Sequence, residues 1–176
     1  MNPFLDDALL QFRKYKKMAE DAIAQATADT FFRTIDPGSN SIAIIVKHIA
    51  GNQRSRWTGF LTTDGEKPDR NRDSEFEAAS DTRESLMARW HAGWGLLFGS
   101  LAPLTDADLD RVITIRTEPH TVMQAISRQL THYAYHVGQI VFLAKHHAGA
   151  QWKSLSIPRG ESKEWDVAKD GSRYRA

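Results

Sequence analysis

Four long segments of this chain carry apolar residues at helical spacing, and that periodicity constrains its fold more than any other feature. From about Pro3 to Ala28, the residues Phe4, Leu5, Ala8, Leu9, Phe12, Tyr15, Ala19, Ala22, Ile23 and Ala26 recur every three or four positions, with Lys and Asp between them. Similar patterns run from roughly Ser41 to Leu61, within Asp81 to Leu101, and from about Thr121 to Ala148, where Gly149 stops the last. Asp36-Pro37-Gly38-Ser39-Asn40 breaks the chain between the first two helices, with Ser39 or Asn40 as the next cap. Lys67 to Asp73 is polar and reads as a loop. Helices of this length, joined so that neighbours run antiparallel, predict an all-α four-helix bundle, one domain over residues 1–176. Arg111 to Arg116 is short, alternating and β-branched, which predicts one strand of a small ribbon before the last long helix. Beyond Gly149 the pattern is irregular, and Trp152, Leu155, Ile157 and Pro158 read as a segment laid on the bundle.

Composition narrows the function. An apolar share of 41%, with five Trp and eight Phe, is enough for a real core. The formal charge is only +1, which gives no field to suggest a nucleic-acid binder. Cysteine is absent, and with it disulfides, thiolate ligands and Cys nucleophiles, in agreement with a cytoplasmic location. MNPFLDDALLQF has two early acids and no long apolar run, so it does not read as a signal peptide. No stretch approaches the ~18 apolar residues of a membrane span, and no membrane partner is expected.

The seven histidines are not equivalent. His132 and His136 are four apart on the last helix, which sets their rings about 40° apart and about 6 Å along the axis. Two imidazoles so placed can reach one divalent metal ion. Tyr133 stands where the zinc proteases place Glu, so this is not their His-Glu-x-x-His motif. Val122, Ala125, Ile126, Gln129, Tyr133, His136, Ile140 and Leu143 trace the inward side of that helix, with His132 at its edge. On the second helix, Ile45, His48, Ile49 and Asn52 share one face, which makes His48 the candidate third ligand. Gly51 admits a close approach by another backbone, or is a tolerated cost. The plainer alternative is that each His is a hydrogen-bonded core residue. His146 and His147 suit a helix C-terminus, His91 lies among polar neighbours, and His120 reads as a cap.

At these residues the chain resembles the DinB-like superfamily, over nearly its whole length, and especially a bacterial branch described as a domain of unknown function. His48 and the His132-x-x-x-His136 pair match the superfamily's metal triad in order and placement. The run from Arg70 to Phe76 and the Trp152–Gly160 run, with its Leu-Ser-Ile-Pro-Arg-Gly, look like the branch's own signatures. The resemblance implies an up-down-down-up bundle, a bound Zn or Ni ion and a homodimer. Its characterised relatives include S-transferases and isomerases that use small thiols, which this chain would have to take from outside.

Around that centre, Asn52 and Gln139 stand about one turn after a histidine, where they would orient a ligand, and Trp57 and Tyr135 where they would line the mouth. Arg54, Arg56 and Arg128 would hold carboxylates of a low-molecular-weight thiol. Core packing for the two aromatics and a solvated face for the arginines are the plainer readings. Three functions therefore compete: a metal-dependent transferase using an external thiol on a small-molecule substrate, a metal hydrolase, and a non-catalytic dimer with a structural metal.

Overall fold

Hydroxyl side chains set where the helices begin. In the computed structural model, which describes residues 3–77, 80–166 and 168, Ser41, Thr82 and Thr121 each accept a hydrogen bond from the backbone amide three residues on. They open α3 (Ile42–Trp57), α4 (Arg83–Leu101) and α5 (Val122–Ala148). The first helix, α1 (Pro3–Ala24), is shorter than its periodicity predicts. Thr27 and Thr30 form a reciprocal capping box that starts a separate short helix, α2 (Ala28–Phe32). Likewise α3 stops at Trp57 and not Leu61, because Thr58 turns extended and Gly59 takes a left-handed φ of 57°. Between the long helices lie 3-10 turns at Asp73–Phe76 and Asp106–Asp108, the first beginning at the last residue of the stretch expected to be loop.

The expected strand is β1 (Val112–Ile115), and it pairs antiparallel with β2 (Glu118–Thr121), Val112 opposite Thr121 and Ile115 opposite Glu118. Two residues join them, Arg116 and Thr117, both at positive φ, the backbone of a type I′ hairpin turn. The irregular C-terminal segment packs Trp152 and Leu155 against the core, and Gln25 holds it by donating to the Lys153 carbonyl (3.0 Å) and accepting from the Lys153 amide (2.8 Å).

The architecture is mostly helical, with α3 lying along α4 and α1 along α5, and further contacts joining α3 to α5 and α1 to α4. Twelve of the 16 residues of α3 are buried, so any polar side chain on it needs a partner. At the centre, the Phe12 ring meets the edges of Trp57 and Trp94 at 6.3 Å and lies 5.9 Å from Tyr133. A polar thread crosses this aromatic core. Trp57 Nε1 donates to Tyr133 Oη (3.1 Å), and that hydroxyl donates to Asn52 Oδ1 (3.0 Å). It ties α3 to α5 at the level of the histidines. No helix among the described residues is long and apolar enough to cross a membrane.

Removing the hydroxyl tests this thread. Tyr133→Phe leaves the Trp57 donor and the Asn52 acceptor buried without it, so we expect a loss of about 1–3 kcal/mol. Urea unfolding should show a lower midpoint at unchanged slope, and an unchanged midpoint would show that the thread contributes nothing.

Candidate metal centre

Helical spacing carries His132 and His136 to the same side of α5, where they face His48 across the interface with α3. The three rings meet at their Nε2 atoms. His132 Nε2 lies 3.3 Å from His48 Nε2 and 3.1 Å from His136 Nε2. One nitrogen from each ring falls within 4.8 Å of the others, and no other group of three described His, Cys, Asp or Glu residues meets this standard. His48 and His136 are buried, while His132 is half-buried and faces the opening.

The far sides of two rings fix their protonation. His48 Nδ1 lies 2.9 Å from Glu75 Oε2, and an ionised carboxylate can only accept, so Nδ1 carries the proton. His136 Nδ1 donates to Gln139 Oε1 (2.8 Å) in the same way. Both rings therefore turn bare lone pairs toward His132, which can give a proton to only one of them. A metal ion satisfies all three nitrogens together. Nitrogens bound at about 2.1 Å to a tetrahedral ion stand about 3.4 Å apart, close to the separations found here. His132 Nδ1 is buried without a partner. The donor set thus fits a divalent ion.

Burial favours the neutral form of His132 and His136. Burial, and next the nearby His136 and His48 rings, push His132 down to about 3. Burial also lowers His136, against the opposing effect of Gln139. Glu75 behaves differently. Burial acts to raise its carboxyl, but the His48 ring and the Arg70 guanidinium together hold it below the usual carboxylate range.

Arg70 grips that carboxylate with a fork, Nε to Oε1 at 2.8 Å and Nη2 to Oε2 at 2.9 Å. It also reaches Glu66 (3.2 Å), which accepts in turn from Arg56 (3.1 Å) and Arg116 (2.9 Å). Gly51 makes room for this network. A Cβ there would stand 2.2 Å from Glu75 Oε1 and 2.7 Å from its Cδ. The close approach at Gly51 is thus made by a carboxylate and not by a backbone.

The hairpin turn belongs to the same construction. Positive φ is a genuine strain for Arg116 and more so for β-branched Thr117, costing about 1–3 kcal/mol each. Asp64 offsets it by accepting from the Arg116 amide (2.8 Å) and the Thr117 amide (2.7 Å), while the Glu66 amide donates to it at 2.7 Å. The Glu66 amide first, then those of Thr117 and Arg116, hold the Asp64 carboxyl at about 2, against the opposing effect of burial.

The other residues singled out from sequence take several positions. Asn52, Arg128 and Tyr135 line a cavity of about 620 Å³ that opens beside His48 and His132. Gln139 stands behind His136. Trp57 is 1% exposed, inside the aromatic core, and Arg54 pairs on the surface with Asp69. Glu75, Arg70 and Arg116 escape notice as site residues in the sequence, because no local spacing links a loop carboxylate to a histidine 27 positions earlier. The one available signal is the unusual Arg70–Phe76 run itself.

Fold and site together define a mostly helical protein with a candidate three-histidine metal centre. The chain belongs to the family described as Protein of unknown function (DUF1572), a DinB-like family, whose profile matches residues 1–161. No curated protein matches the chain.

Two predictions follow from the geometry. Glu75→Gln should weaken metal binding about 10–100-fold, the usual cost of losing a partner behind a ligand. Gly51→Ala should do likewise by displacing Glu75, although alanine ordinarily favours a helix. Metal titration checks both, and wild-type affinity in both would deny Glu75 a positioning role. The Asp64 carboxyl is lower in the folded chain than its ordinary 3.8, so its stabilisation is complete above that value and is lost as pH falls through about 2. Exchange protection of the Arg116 and Thr117 amides should fall over that window and be low in Asp64→Ala, which removes both acceptor oxygens, at every pH. Protection that ignores both changes would sink the clamp.

Proposed function

We propose that the protein binds one divalent ion, zinc or nickel, at His48, His132 and His136, and acts with a small external thiol as an S-transferase. The observation that carries the reading is the meeting of three imidazole Nε2 atoms, two of them with their far nitrogens already occupied. In this reading the long helices form a four-helix bundle of up-down-down-up order, as the DinB-like resemblance implies. A bound ion there would supply Lewis acidity, lowering the pKa of a coordinated thiol or water.

The chain's own residues do the rest. Glu75 and Gln139 hold two rings in the binding tautomer. Asn52, fixed by Tyr133, and the exposed Tyr135 line the cavity in which a substrate would lie. Cysteine is absent, so the thiol must be a second substrate.

The cavity favours this over the two other readings. Hydrolysis needs a base near the attacking water. None of the cavity's described lining residues is acidic, and Glu75 is committed behind His48 to that ring and to Arg70. A purely structural ion would have a closed shell, whereas a cavity opens directly on His48 and His132. A homodimer is part of the proposal. Tyr135 and Phe142, two turns apart on α5, are 63% and 61% exposed, and Ile35 adds a third exposed apolar side chain beside the same surface hollow.

Elemental analysis of wild-type protein and the three His→Ala variants tests the centre. We expect one ion per chain in the wild type and loss in each variant; unchanged metal in all three would remove the proposal's basis. Metal-loaded protein given a panel of thiols and electrophiles should show transfer well above a His48→Ala control. Ester or amide cleavage without added thiol would instead favour the hydrolase.

A further inference from the structure

Five arginines and no acid appear among the described residues that line the cavity beside the imidazoles. The whole chain carries a formal charge of only +1, so this concentration is local. Two of the five, Arg56 and Arg70, are buried and structural, paired with Glu66 and Glu75. The other three are solvent-exposed, and their charge is poorly compensated. Arg116 shares Glu66 with both buried arginines. Arg72 and Arg128 make no ion pair among the described residues.

Each of the three is nevertheless held in place. Arg72 lies over the Phe76 ring at 5.2 Å, and that ring packs on His48 at 5.1 Å. Arg128 donates to His120 Nε2 (3.2 Å), whose opposite nitrogen donates to the Glu118 carbonyl (3.0 Å). A neutral imidazole is a partner that leaves the guanidinium charge unspent. Arg116 sits on the strained hairpin turn that Asp64 clamps. Ordered guanidinium forks around a polar cavity are what carboxylate and phosphate oxygens require. A space of about 620 Å³ is of small-molecule size.

We propose that this cavity receives a small molecule bearing carboxylate or phosphate groups, anchored by Arg72, Arg116 and Arg128 beside the three imidazoles. The inference rests on reading the histidine site as a small-molecule centre, and it adds the charge class of what binds there. The anchors lie outside the metal ligands, so anion recognition does not need the ion. Substrate charge would be neutralised on the arginine side while the reacting end points to the histidines.

Calorimetric titration of the full chain with succinate, phenyl phosphate and neutral succinamide tests this, with and without metal (removed by chelation and dialysis). We expect binding of at least one anion and none of succinamide, with affinity falling as salt rises. The preferred anion distinguishes carboxylate from phosphate recognition. Arg72→Gln and Arg128→Gln change exposed side chains, and each should weaken binding about tenfold or more while metal content stays at the wild-type level. Equal binding of succinate and succinamide, no binding of either anion, or wild-type anion affinity in the double variant would overturn the proposal. Failure here with normal metal content leaves the metal centre standing. Anion binding by a protein that takes up no metal would remove the centre and keep the anion pocket.

Discussion

A carboxylate buried between a histidine and an arginine is stable only while both keep their hydrogen bonds to it. Glu75 holds that place, and the site depends on it. On one side it fixes the proton of His48 on Nδ1 and so turns the Nε2 lone pair inward. On the other it receives the Arg70 fork, which offsets the cost of burying its charge. Through Arg70 the same carboxylate is linked to Glu66, and through Glu66 to Arg56 and the hairpin arginine. The loop after α3, the hairpin and the histidines are thus one connected electrostatic object and not three neighbouring features.

This arrangement explains an apparent waste of polar groups in the interior. Helix α3 is buried on nearly all sides, yet carries His48, Asn52 and Arg56. Each meets a partner from a different element: Glu75 from the 3-10 turn, Tyr133 from α5, and Glu66 from the loop. Polar contacts of this kind add little net stability, but they are costly to break singly. Of the three, the Asn52–Tyr133 bond joins α3 to α5, at the level where the Nε2 atoms meet. The strain in the Arg116-Thr117 turn has a similar logic, since Asp64 offsets locally what the backbone loses. The cavity beside the candidate metal centre is lined by five arginines and, among the described residues, by no acid, so a bound ion and an anion-binding wall would share one space.

Much of the helical layout is legible because burial on a helix leaves a period. Every position of the inward stripe on α5, from Val122 through Leu143, is buried, and His132 sits at its edge as its angle predicts. The face of Ile45, His48, Ile49 and Asn52 is buried too. Errors fall where local capping competes with period. Thr27 restarts a helix inside a continuous apolar pattern, and Gly59 ends one early. The partner strand β2 carries Pro119 and His120 and has no β-branched alternation, so only pairing with β1 reveals it.

The sequence by itself determined the helices, the absence of thiol ligands, and the two histidines of α5 that share a face, because each follows from spacing or composition within one segment. It also nominated His48, through the apolar face around it. Only the tertiary structure decided that the three Nε2 atoms lie within bonding reach of one point, that Glu75, from a distant loop, stands behind His48, and that Trp57 belongs to the core. Those facts join residues tens of positions apart. They depend on how helices and loops pack, and a local periodicity holds no record of the distance between two segments.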